Sequence, residues 1–140
     1  MSVGGNLRGF QHLGLPVLNI DESKSWYSEH LGFEVIYETK LIEATEDINV
    51  AFLKLNDFVI EMYEISKYEL EEIKSRQHGH IDHIAFDVDD IEEVSKKLNK
   101  SGFKTIEENP KFLPLWKNGV RFLTILGPNN EKIEFNQKNS

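Results

Sequence analysis

In outline, the chain carries one sequence pattern twice. Gln11-His12-Leu13-Gly14-Leu15-Pro16-Val17 aligns with Asp82-His83-Ile84-Ala85-Phe86-Asp87-Val88, and Leu31-Gly32-Phe33 with Ser101-Gly102-Phe103. Val50-Ala51-Phe52-Leu53 aligns with Val120-Arg121-Phe122-Leu123, and Ile60-Glu61-Met62 with Ile133-Glu134-Phe135. The partners in each pair of blocks lie about 70 residues apart, and the order never changes. A single such match is chance; four in order imply two copies of one supersecondary unit.

Each unit reads β-α-β-β-β. In the first, Phe10 to Val17 is a short apolar strand, and Asn19-Ile20-Asp21-Glu22 has the spacing of a capping box. Ile20, Ser23, Tyr27 and Leu31 follow at helical spacing, and Gly32 suits the left-handed residue that ends a helix. In the second, Asp89-Asp90-Ile91-Glu92 caps a helix whose apolar face is Ile91, Val94 and Leu98, ended by Gly102. Strands are predicted near 33–39, 48–55 and 57–64, then near 103–107, 119–126 and 131–136, with turn signals at Asn56-Asp57 and Gly127-Pro128-Asn129-Asn130. Two longer loops, Ser66 to His80 and Glu107 to Asn118, are where selectivity is expected. The expectation is therefore one α+β domain over residues 1–140. Its two tandem βαβββ modules cover about 8–66 and 80–138, after a loose tail at 1–7.

With 39% hydrophobic and 29% charged residues, the chain is an ordinary globular sequence. The net charge of −8 disfavours nucleic-acid and anionic-membrane partners and leaves a small molecule as the expected ligand. No apolar run approaches the length that spans a bilayer, and Met1 to Asn6 does not read as a signal peptide, so a cytoplasmic location is expected. With no cysteine, any metal must be held by His, Asp or Glu.

The repeat selects four such residues. His12 and Glu61 in the first unit correspond to His83 and Glu134 in the second, each on a predicted strand between residues that pack the other way. One His or Glu on the second face of a sheet is ordinarily just solvated. Two copies of the same His-Glu pair are not explained so simply. Two imidazoles and two carboxylates suit nickel, zinc or cobalt, with iron and manganese also open, and leave positions for water or substrate.

Other polar residues have plainer readings. His78 and His80 read as loop surface, His30 as a cation at a helix C-terminus, and Glu69, Glu71 and Glu72 as a solvated face. Trp26 and Tyr27 are expected between helix and sheet. Trp116 is a candidate pocket wall, and Arg8, Lys117 and Arg121 are candidate anion anchors.

From about Phe10 to Gln137 the chain resembles the vicinal oxygen chelate (glyoxalase/bleomycin resistance/dioxygenase) superfamily, in particular its glyoxalase I (lactoylglutathione lyase) branch. The resemblance rests on His12-Leu13-Gly14, on Ser25-Trp26-Tyr27 through Leu31-Gly32-Phe33, and on Val59-Ile60-Glu61. It extends to His83-Ile84-Ala85-Phe86 and to Gly127-Pro128-Asn129 leading into Ile133-Glu134. It implies an open cup-shaped sheet around a divalent ion, a homodimer, and His12, Glu61, His83 and Glu134 as ligands. It also implies proton transfer beside a metal-chelated carbonyl, converting a methylglyoxal–thiol adduct to a lactoyl thioester, with Glu134 as base and Glu61 as ligand and second acid-base group; Trp116 and Arg121, from their own reading above, are expected against substrate. Two positions depart from the pattern: Pro16 and Ile65 stand where that branch carries Arg and Asn for glutathione. The methylmalonyl-CoA epimerase branch is similar too but usually has Gln where Glu61 stands. That epimerase, another isomerase of the superfamily, and a metal-free bleomycin-resistance-type binding protein are the competing expectations.

Overall fold

The computed structural model describes residues 2–42, 46–64, 69–76, 81–126 and 132–140. It divides into two compact units, His12–Asp82 and Met1–Gln11 with His83–Ser140. Among the described residues no helix is long and apolar enough to cross a membrane.

The first unit contains most of β1 (Leu7–Val17), then α1 (Ile20–Leu31), β2 (Glu34–Ile42), β3 (Asp47–Leu55), β4 (Phe58–Glu64) and the short α2 (Leu70–Ser75). Its strands run β2-β3-β4-β1, antiparallel except for β4 and β1, which pair in parallel with Gly14 beside Glu61. Asn19 caps α1 by accepting the Glu22 N–H at 3.0 Å, as the sequence predicts. Gly32 ends it at φ 78°, and Phe33 N–H returns to the Tyr27 carbonyl. Val17, Ile20, Phe33, Ala51, Leu53, Ile60 and Met62 form the core between α1 and one sheet face, with Tyr27 packed at its edge. Trp26 is not part of it. At 52% exposed it lies on the outer side of α1, its ring near those of Tyr27 and His30, because one helical residue sits about 100° round from the next.

The second unit repeats the plan with β5 (His83–Val88), α3 (Ile91–Lys100), β6 (Lys111–Leu113), β7 (Val120–Leu126) and β8 (Lys132–Lys138), ordered β5-β8-β7-β6. Again the strands at the repeat-equivalent positions, β5 and β8, pair in parallel while the rest are antiparallel. Ile91, Val94 and Leu98 are fully buried against Leu123, Ile125 and Phe135, each worth about 1.5–3 kcal/mol. Putting Ile91 in that core makes it the first helical residue, so Asp90 rather than Asp89 is the cap, accepting the Glu93 N–H at 3.1 Å. Asp89 instead pairs with Arg8 at 3.4 Å.

Two expectations are corrected. The strand predicted near 103–107 does not form. Ile106 N–H reaches the Thr124 carbonyl of β7, but the Thr124 N–H is taken by the Glu107 side chain at 2.6 Å, ending the ladder after one bond. Past Pro110, which has no N–H to donate, Lys111–Leu113 pairs with β7 instead, inside the segment expected to be a loop. The start of the chain, expected as a loose tail, makes a 3-10 turn at Gly4–Asn6. Asn6 is buried there between the α3 side chains Glu93 and Lys97, at 3.0 and 2.7 Å, and Val3 and Leu7 pack on the second core.

Candidate metal and acid-base site

In each unit the sheet face away from the helix carries the polar residues. Leu15 and Val17 of β1 and Ile60 and Met62 of β4 face α1, so alternation turns His12 and Glu61 the other way. The parallel pairing of β1 with β4 then sets His12 Nε2 3.6 Å from Glu61 Oε1. The imidazole is only 2% exposed, and its ring meets the edge of Phe52 at 5.6 Å. Phe52 stands directly opposite Glu61 on β3, and Tyr37 reaches its ring because a bulge between Val35 and Tyr37 changes the face of β2. Two residues beyond Glu61, Tyr63 shares the same face. Its phenol is held well above its ordinary pKa, first by burial and then by the neighbouring Asp82 carboxylate, which accepts a hydrogen bond from it.

The second unit repeats this geometry. Phe86 and Val88 of β5 and Ile133 and Phe135 of β8 face α3, which leaves His83 and Glu134 on the opposite face. His83 Nε2 lies 3.6 Å from Glu134 Oε1, and both residues are 9% exposed. Asn136, on the same face, donates Nδ2–H to Glu134 Oε2 at 3.0 Å. Gln11 Nε2 donates to Asp87 Oδ1 at 2.7 Å and to the Asn136 carbonyl at 3.1 Å.

Each His-Glu pair fits a shared metal ion. A separation of 3.6 Å is too long for a hydrogen bond. Two donors each about 2.0–2.2 Å from one ion, at ligand angles of about 90–120°, stand roughly 2.8–3.8 Å apart. Imidazole nitrogen with carboxylate oxygen is a donor set for borderline divalent ions.

The remaining sequence candidates are placed as follows. Arg121 lies on the α3 face with Leu123 and Ile125 and is ion-paired to Glu92, so it is on the opposite side of the sheet from Glu134. Trp116 adopts a left-handed backbone at φ 61°, and Lys138 Nζ sits 4.0 Å from its ring centre. Lys138 is two steps along β8 from Asn136, at the end of the face that carries Glu134. Arg8 is engaged by Asp89, and Lys117 is exposed. Glu71 and Glu72 pair with Lys74 and Arg76 on the surface of α2. Pro16 is buried in β1 opposite Tyr63. His78, His80 and Ile65 lie outside the described residues. Phe52, Tyr63, Asp82 and Asn136 went unnoticed in the sequence. For Tyr63 and Asn136 a signal was there: each lies two residues past a candidate ligand, and residues two apart on a strand share a face.

Comparison with known proteins agrees with this architecture. A relative in Bacillus subtilis (strain 168), the uncharacterized protein YwbC, is 32% identical over 127 residues, covering 91% of this chain and 95% of that one. The solved methylmalonyl-CoA epimerase from Mycobacterium tuberculosis matches the whole of this chain and 94% of its own, with a TM-score of 0.80 at 21% identity. The Streptomyces coelicolor methylmalonyl-CoA epimerase, solved with 2-nitronate-propionyl-CoA, matches 96% of this chain and 99% of its own, with a TM-score of 0.77 at 18% identity. At these identities the likeness to the two solved structures is one of fold. The family model described as the Glyoxalase/Bleomycin resistance protein/Dioxygenase superfamily matches residues 9–135, and with its two β-α-β-β-β units the chain belongs to that superfamily.

Proposed function

We propose that His12, Glu61, His83 and Glu134 hold one divalent ion, and that the chain is a metal-dependent isomerase moving a proton beside a carbonyl. The substrate class is an α-branched acyl thioester. The carrying observation is the pair of His-Glu couples, each at 3.6 Å and at repeat-equivalent positions of the two units, with His12, His83 and Glu134 buried and Glu61 half-buried. A binding protein without metal has no need of either couple. The choice of an acyl thioester draws on the two named solved structures, which are methylmalonyl-CoA epimerases, one of them in complex with 2-nitronate-propionyl-CoA.

When bound, the ion supplies Lewis-acid stabilisation of the negative charge that develops on the carbonyl oxygen. The protein's own groups move the proton. Glu134, in its carboxylate form, takes it from the α-carbon. Glu61, its counterpart in the other unit, starts as the carboxylic acid and gives its own proton to the opposite face, so that configuration inverts and the two groups exchange protonation states. The edge of Phe52 and the buried imidazoles keep water from competing for that proton. The donor set accepts nickel, zinc, cobalt, iron or manganese, and the four ligands come from one chain or from the complementary units of a homodimer. A second reading, a glyoxalase I-type lyase acting on a methylglyoxal–thiol adduct, is favoured by Glu61 being a carboxylate. Pro16, buried where that branch carries a glutathione-binding Arg, requires any thiol to be held differently.

The test is deuterium incorporation from solvent at the α-carbon of methylmalonyl-CoA, followed by NMR with the full chain loaded with zinc, nickel or cobalt. Exchange is expected only with metal, without any added thiol, and slower by about 10²–10⁴-fold in Glu134→Gln. No exchange, together with turnover of the methylglyoxal–thiol adduct, establishes the lyase reading instead. Neither reaction and no bound metal establishes a binding protein.

A further inference from the structure

Asn136 is 3% exposed, and its two amide atoms are treated unequally. Nδ2–H is committed to Glu134 Oε2 at 3.0 Å, while Oδ1 is buried with no hydrogen-bond partner among the described residues. A buried acceptor left unmade is destabilising, and sheets ordinarily avoid it. Turning the amide round gives no relief, since it sets Oδ1 against Oε2, acceptor to acceptor. The backbone cannot shift to find a donor either. Asn136 is held in register between Asp87 of β5 and Phe122 of β7, and its carbonyl is clamped by Gln11 Nε2 at 3.1 Å. The orphaned oxygen is thus the cost of keeping one hydrogen bond to one oxygen of Glu134. That bond ties down Oε2 and leaves Oε1 as the atom presented beside His83 Nε2 at 3.6 Å.

We propose that Asn136 is a positioning residue for the metal site: it fixes Glu134 as a ligand through Oε1 alone and sets the rotation of its carboxylate. The inference rests on the reading of Glu134 as a metal ligand. It goes beyond that reading by naming a residue that touches no ligand atom of the ion and yet governs its affinity. Groups that orient metal ligands by hydrogen bonding change affinity by 10–100-fold when removed.

A fold role and a positioning role give opposite results when Asn136 becomes apolar. Asn136→Leu is close to isosteric and deletes the donor and the orphaned acceptor together; Asn136→Val, a good strand former, serves if Leu overpacks the site. The probe is Co²⁺, titrated into the metal-free full chain and followed by its visible d–d absorption, beside a thermal melt of the metal-free protein. The expected result is a melting temperature close to that of the original chain, because deleting the orphaned Oδ1 offsets the donor lost to Glu134 Oε2, with Co²⁺ binding about 10–100-fold weaker and a changed d–d spectrum. Variants that bind Co²⁺ as tightly and with the same spectrum overturn the inference, as do variants that lose only melting temperature. If the unaltered chain takes up no Co²⁺, the metal reading falls and the inference with it. Tight binding by the original chain and undiminished binding by the variants sink the inference alone.

Discussion

At the scale of single residues, burial decides which polar groups carry chemistry. His12, His83 and Glu134 are enclosed among strands, where an isolated charge is expensive, so each must be satisfied by a partner. Alternation along β1, β4, β5 and β8 made these residues legible in the sequence, because a one-residue error would have sent them into the helix-facing cores. The same alternation sets Arg121 in step with Leu123 and Ile125, on the face towards α3. Tyr63 offers a test that does not depend on metal. Burial and the neighbouring Asp82 raise its pKa above the ordinary value of about 10, so the folded state holds the phenolic proton more tightly than the unfolded chain. Its contribution to stability is therefore complete below about pH 10 and is lost as pH rises towards the folded-state value. Urea denaturation should show the original chain more stable than Tyr63→Phe by about 1 kcal/mol at pH 8. That margin should shrink as pH passes 10; a margin constant up to pH 11 would show that the phenol does not carry the effect.

At the scale of elements, the two long helices, α1 and α3, were the most readable part. Both have an Asx cap, a periodic apolar face and a glycine at or just past the C-terminus. Asn19→Ala and Asp90→Ala should each cost about 1 kcal/mol in urea denaturation. The two effects should add, because the caps share no partner in either core. An effect under a few tenths of a kcal/mol would mean that the cap bonds do not form in solution. The segment from 103 to 119 was not readable, since the side chain of Glu107 replaces a backbone acceptor on β7 and no periodic pattern announces that. Its short hairpin depends on Gly119, whose φ is 79° and whose missing side chain makes room for the Phe112 ring. Gly119→Ala should therefore destabilise by about 1–3 kcal/mol or more, read from the urea midpoint. A neutral effect would show that Phe112 does not pack there.

At the scale of the whole molecule, duplication is what the proposed site rests on. A single β-α-β-β-β unit offers one imidazole and one carboxylate on one sheet face, too few donors to hold an ion firmly in water. Two copies offer four donors from the same pattern of strands. The order of the repeat blocks disclosed that plan before any coordinate did. The sequence was silent on the small contacts that surround it: nothing marks out Phe52, and the place of Asn136 two residues past Glu134 gives its strand face but not the hydrogen bond to that carboxylate. At the end of the Glu134 face, Lys138 of β8 meets Trp116 from the segment before β7.

The central claim is that two equivalent pairs make one site, and metal stoichiometry by elemental analysis tests it most directly. The full chain, reconstituted with Zn²⁺ and freed of excess, should hold one ion per chain, and His12→Ala or His83→Ala alone should each abolish retention. No retained ion in the original chain would contradict the claim. So would two ions per chain, or one ion surviving in either single variant, since the pairs would then act separately.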